Sequence, residues 1–134
     1  MPINLAIVTP EREALSIVCD EVVAPGVNGE IGLLPGHVPL ITALRPGVLT
    51  VVKGGRRSYY AVSSGFAEVD ADQVTVLTAS CEPASEIDVE RARRALSDAE
   101  AKLEKLGPQD PGYDAARFQI ERARARLDTV ERKN

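Results

Sequence analysis

The chain has 134 residues, 44% of them hydrophobic and 27% charged, a balance that fits a globular protein and excludes a wholly disordered or fibrous one. A formal net charge of −4 argues against nucleic acid as a partner, because phosphate neutralisation needs a basic face. No stretch approaches the roughly 18 to 20 apolar residues of a membrane-spanning helix, and Met1-Pro2-Ile3-Asn4 lacks the basic region of a secretory signal, so a soluble, non-exported chain without direct membrane insertion is expected.

Charge is distributed unevenly. Residues 1–84 carry 5 basic and 9 acidic side chains, and residues 85–134 carry 11 of each. In the first region the apolar pattern has a period of two, or forms short solid runs broken at Gly, Pro, Asn and Asp. Strands are predicted over 3–9, 14–18, 21–24, 29–34, 39–43, 48–52, 58–63, 66–69 and 74–78. Lys53-Gly54-Gly55-Arg56 is a hairpin signal, since paired glycines accept the positive φ of a two-residue turn. Asp70-Ala71-Asp72 marks a second turn. Many short strands with closely spaced turns favour an antiparallel β-sandwich over a parallel sheet, which needs a long crossover for each connection. Cys19 and Cys81 lie far apart, without metal-ligand spacing, and read as two reduced, half-buried thiols.

From Ser85 onward the period turns helical. Val89, Ala92, Leu96, Ala99, Leu103 and Leu106 form one seam, and Tyr113, Ala116, Ile120, Ala123, Leu127 and Val130 form another. Ser85-Glu86-Ile87-Asp88 reads as a capping box with Ser85 as the cap, and Gly107 suits a helix C-cap before the Pro-rich linker 107–112. So short a linker buries both seams only as an antiparallel helical hairpin. A third of the seam positions, Ala92, Ala99, Ala116 and Ala123, are Ala, which contributes little apolar area. The hairpin is therefore expected to need an outside surface and to have more than one docked position.

Few residues suggest bond chemistry. His37 is the single histidine and has no nucleophile motif beside it. Its surroundings, from Leu34 to Leu40, form a proline-held turn with apolar flanks, which serves as a docking surface or as a structural turn. Asp20-Glu21 and the Asp70/Asp72 pair read as solvated turn residues. Neither G-x-x-x-x-G-K-[ST] nor G-x-G-x-x-G occurs, so any nucleotide has to be held by side chains. Arg91, Arg93 and Arg94 on the first helix, with Arg122, Arg124 and Arg126 on the second, are either a solvated face of i, i+4 pairs or, where Arg91 meets Arg126, an anion site.

The run from Gly29 to Thr42, followed by Leu44-Arg45-Pro46-Gly47, Gly65-Phe66-Ala67-Glu68-Val69 and Val74-Thr75-Val76-Leu77-Thr78, resembles the epsilon subunit of rotary F-type ATP synthases over essentially the whole chain. The resemblance implies a non-catalytic central-stalk subunit: a ten-stranded β-sandwich over residues 1–84 that binds the gamma subunit and the membrane rotor ring, then a regulatory two-helix hairpin over 85–134. That hairpin folds on the sandwich, or extends along gamma towards the alpha and beta catalytic subunits and inhibits ATP hydrolysis. It implies a peripheral position on the cytoplasmic face of the bacterial inner membrane. Glu30, Ile31 and Gly32 match the loop that meets the ring, Leu33, Leu34, Pro35 and Gly36 continue it, and His37 matches a position close to gamma. Some relatives bind ATP, as a regulatory ligand rather than an obligatory cofactor, through Ile-Asp-x-x-Arg-Ala plus two arginines on the second helix. Here Ile87, Asp88, Arg91 and Ala92, with Arg122 and Arg126, occupy the matching positions. Asp98, near where a basic residue often stands, and the Gly/Pro-rich linker depart from the pattern. The alternative reading is a stand-alone ligand-binding β-sandwich whose hairpin docks a partner.

Overall fold

The computed structural model describes residues 2–34 and 36–133, and for His37 the backbone alone. Ten strands precede two helices among the described residues: β1 (Ile3–Val8), β2 (Glu13–Cys19), β3 (Glu21–Gly26), β4 (Gly29–Leu33), β5 (His37–Leu44), β6 (Gly47–Lys53), β7 (Arg56–Val62), β8 (Gly65–Ala71), β9 (Gln73–Thr78), β10 (Cys81–Pro83), α1 (Val89–Glu104) and α2 (Tyr113–Lys133). All nine predicted strands form. The additional strand, β10, is only three residues long and contains a proline, which left no period-two pattern to read.

The hydrogen-bonded order is β10-β7-β6-β3-β5-β8-β9-β1-β2, with β4 paired to β3. One pair, Gly26 with Leu44, links β3 to β5, so the ladder divides there into two halves that fold onto each other. The first half is β10, β7, β6, β3 and β4, and the second is β5, β8, β9, β1 and β2. Inward side chains of both halves make one core, including Leu49, Val51 and Val62 from the first and Leu5, Val69 and Val76 from the second. Pairings are antiparallel except β1 with β9, which run parallel from Asn4 opposite Gln73 to Val8 opposite Leu77. Most of the sandwich lies between these two strands in sequence, so their parallel pairing needs no crossover helix.

Gly54 and Gly55 take φ of 57° and 77°, as the β6–β7 turn requires, and the carboxylate of Asp20 accepts from the Gly54 N–H at 2.8 Å. Asp20 is thus a turn clamp. Ala71 takes φ of 55° in the β8–β9 turn. Both cysteines are free; Cys19 is buried and Cys81 half-buried.

Two helix-end expectations are corrected. Ser85 sits in a short 3-10 turn, Ala84–Glu86, and Asp88 itself caps α1, accepting from the Arg91 N–H at 3.1 Å. Ile87 is extended, which separates the two turns and moves the cap three residues on. At the other end Lys105 closes α1, while the Gly107 N–H donates to the Asp110 carboxylate at 2.7 Å within the linker. The helices pack as an antiparallel pair along Ala92, Ala99, Ala116, Ile120 and Ala123, all buried. α2 has a second buried side, Ala125 and Thr129, through which it lies across β6 and β7. The hairpin therefore docks by one helix, and none of its residues joins the sandwich core.

Candidate functional site

The pleat gives each half-sheet an outward face, and the two faces are treated oppositely. Along β6 and β7, Leu49, Val51 and Val62 point into the core, so Val48, Thr50 and Ala61 point out. These outward residues are nevertheless buried, because α2 covers them. Along β5, β8 and β9, the outward residues Ile41, Phe66 and Leu77 are 69%, 53% and 39% exposed. Phe66 lies opposite Ala43 on one side and Leu77 on the other, which makes an apolar row across the three strands, with Ile41 next along β5 opposite the exposed Glu68. Val38 at 72%, at the start of β5, and Val27 at 53%, in the β3–β4 turn, are exposed as well. Clustered exposed apolar side chains of this size mark an interaction surface.

The loop predicted to dock adjoins this surface. Leu34 and Gly36 are exposed, Ile31 is half-buried against the core, and Gly32 is exposed with its Cα side close to the Glu21 carboxylate. Leu33 departs from the expectation: fully buried in the core, it anchors β4 rather than offering surface. Pro35 lies outside the described residues, as does the side chain of His37. Glu30 is exposed at the β3–β4 hairpin and accepts from the Arg132 guanidinium at 3.0 Å, a contact the sequence pattern gave no sign of.

The arginine cluster divides. Arg93 pairs with Glu90 and Arg124 with Glu100, both exposed, as a solvated face does. Asp88, Arg91, Ala92 and Arg126 instead come together around a small cavity of about 160 Å³, with Glu82 and Glu86 completing its wall. Ile87 does not line it; half-buried, it follows the 3-10 turn and its N–H bonds back to Ala84. Glu82, on the short strand β10, accepts from Arg126 Nε at 2.6 Å. Arg122 is half-buried nearby: burial pulls its guanidinium below the ordinary arginine range, neighbouring Arg126 adds to this, and Glu82 opposes it. Arg122 and Arg126 thus both face Glu82, while Glu86 and Asp88 stand beside Arg91 on the same cavity. Glu82 escaped the sequence reading because it stands outside both helices. A larger cavity, about 560 Å³, lies elsewhere, between the helices at their linker end.

Among the described residues no helix is long and apolar enough to cross a membrane, and no group of His, Cys, Asp and Glu could hold a metal ion. Residues 2–84 match the family model described as ATP synthase, Delta/Epsilon chain, beta-sandwich domain, and residues 85–131 match its long alpha-helix domain. The chain is 48% identical over 132 residues to the ATP synthase epsilon chain of Anaeromyxobacter dehalogenans strain 2CP-C, covering 98% of this chain and 100% of that one. It is 41% identical over 128 residues to the epsilon chain of Myxococcus xanthus, covering 96% and 90%. Among solved structures it resembles a chain of the Euglena gracilis mitochondrial ATP synthase OSCP/F1/c-ring complex, with a TM-score of 0.84, 28% identity and coverage of 97% and 81%. A chain of the Tetrahymena thermophila central stalk and c-ring shares the fold at a TM-score of 0.63, with 14% identity and 97% coverage of both chains. With both of its parts matched in order and its relatives aligned nearly end to end, the chain belongs to the ATP synthase delta/epsilon-chain family, as an F-type epsilon, non-catalytic central-stalk subunit.

Proposed function

We propose that the subunit joins gamma to the rotor ring by dividing the task between two adjacent surfaces. Gamma docks on the bare apolar face of β5, β8 and β9, and the exposed loop that includes Leu34 meets the polar surface of the ring. The single observation that carries this reading is the exposure of Ile41, Phe66 and Leu77 on a sheet whose opposite counterpart is sealed by the chain's own helix. In a Phe66→Asp variant the isolated subunit should fold normally but bind purified gamma at least tenfold more weakly. Undiminished binding would place gamma elsewhere. The same assembly puts the chain peripherally on the cytoplasmic face of the bacterial inner membrane.

The hairpin regulates ATP hydrolysis as a two-state element. Its folded form rests on small residues, Ala125 and Thr129, between the Arg126–Glu82 and Arg132–Glu30 ion pairs, an interface with little apolar area to lose on release. In the extended form α2 leaves β6 and β7 for gamma and the alpha and beta subunits, and hydrolysis is inhibited. Removing residues 86–134 should raise ATPase activity in the assembled complex while leaving assembly intact.

ATP is the proposed regulatory ligand, supported by the meeting of Asp88, Arg91, Ala92 and Arg126 around one cavity with Arg122 beside it. A phosphate would compete with Glu82 for Arg126, and binding to the folded form alone would stabilise it by about 2.7 kcal/mol at a hundredfold excess over Kd. Calorimetric titration with MgATP should give heat that an Arg91→Ala, Arg126→Ala double variant loses. Absence of heat from the native chain would remove ATP from the scheme.

A further inference from the structure

The C-terminal part of α2 reaches the loop assigned to the ring. Arg132 Nη1 lies 3.0 Å from Glu30 Oε2, and both side chains are nearly half exposed. The contact borders a cavity of about 370 Å³ between α2 and the sandwich loops. Around that cavity Arg45, Arg124 and Arg132 stand near Glu30, Glu121 and Asp128. Arg45 belongs to the sandwich and stays beside Glu30 whatever the helices do; Arg132 leaves with α2. The electrostatic surroundings of Glu30 therefore depend on where the hairpin is.

We propose that Glu30 is a shared contact, held by Arg132 while the helices are folded and released to the polar face of the rotor ring when α2 departs. This rests on the reading that the β4 loop meets the ring. Because one carboxylate serves both contacts, ring docking and the folded hairpin oppose each other, and the opposition is reciprocal. Each weakens the other by the same factor, about two- to fivefold for an exposed ion pair. The ring thereby loosens the hairpin at the C-terminal end of α2, the same end that carries Arg126.

The test uses the full-length chain and detergent-solubilised rotor ring from the same synthase. Arg132→Ala should bind the ring about two- to fivefold more tightly than the native chain at low salt, with the difference shrinking as salt screens the pair. Ring binding should speed hydrogen exchange in the last turn of α2. Equal affinities for the native chain and Arg132→Ala, with exchange in α2 unchanged by the ring, would overturn the coupling; a loss of binding in Leu34→Asp in the same series would leave the loop assignment standing. Ring binding that Leu34→Asp does not weaken, or no binding by the native chain, would overturn the loop assignment and the coupling with it.

Discussion

The outer faces of the two half-sheets show how one sandwich separates internal from external business. On the β6–β7 side the outward residues that are fully buried are Val48, Thr50 and Ala61, small to medium in size, with Tyr59 half-buried opposite Thr50, and α2 meets this face with Ala125 and Thr129. On the β5–β8–β9 side Ile41, Phe66 and Leu77 are large and only partly covered. Exposed apolar anchors are therefore kept on the face that the chain's own helices leave open. A face that must release its cover gains from weak packing, whereas a face that must hold a partner gains from large apolar anchors.

The severest way to break the comparison is to remove the sheet that carries the bare face. At Gly65 a Cβ would lie 1.9 Å from the Leu77 carbonyl oxygen and 2.9 Å from Thr78 Cα, so β8 and β9 approach closely only because no side chain intervenes. Gly65→Val should cost about 3 kcal/mol or more, or prevent folding, as read by urea unfolding. Next comes the bare face itself. Phe66→Asp should lose about 2 kcal/mol in gamma binding yet change the isolated chain's stability by only about 1 kcal/mol or less, because half of the side chain is already exposed. Comparable losses in both measurements would mean that Phe66 is structural and that the two faces do not differ in kind.

The sequence made one half of this comparison visible. Alternation along 48–52, 58–63 and 66–69 assigned the strands, but the pattern alone cannot tell an outward residue facing water from one facing a helix of the same chain. The helical seams at Ala92, Ala99, Ala116, Ile120 and Ala123 were legible because they repeat. The second side of α2 was not, since Ala125 and Thr129 sit between Arg122, Arg124 and Arg126 and read as part of a polar face. Most of the arginine cluster was legible through its Ile-Asp-x-x-Arg-Ala pattern. Glu82 and the Arg132–Glu30 contact were hidden because each joins residues 44 and 102 positions apart, a separation that no local period encodes.

Thr129 sharpens the covered side. It is fully buried, and its hydroxyl donates to the Ala125 carbonyl of its own helix at 2.6 Å, so it needs no partner on the sandwich. Thr129→Val keeps the shape, and the hairpin should stay docked. Thr129→Arg cannot fit against β6 and β7; it should undock α2 at a cost of about 1 to 2 kcal/mol to the helices while the sandwich stays folded. Hydrogen exchange separates the outcomes, with fast helix amides and unchanged strand amides expected for Thr129→Arg. A sandwich that loosens along with the helices would mean that the cover is part of the fold.

The smallest effect comes from the edge of the covered half-sheet. Burial, reinforced by Glu82 and opposed by Arg12, pushes the Cys81 thiol from 9.0 up to about 11. Unfolded, the thiol ionises near the lower value, whereas in the native chain it remains protonated to the higher one. Between these values the unfolded state binds fewer protons, so stability is complete below about pH 9 and declines as pH rises towards 11. The decline should be on the order of 1 kcal/mol, with Tyr60 on β7, also raised mainly by burial, adding to it. Urea unfolding at pH 8 and pH 10.5 should show a shallower fall for Cys81→Ala than for the native chain. Both side chains pack against the sandwich core, on the face of the half-sheet turned away from α2. Undocking the helix with Thr129→Arg should therefore leave the alkaline fall unchanged; a fall that flattens in that variant would mean that the cover supports the core packing of β7 and β10.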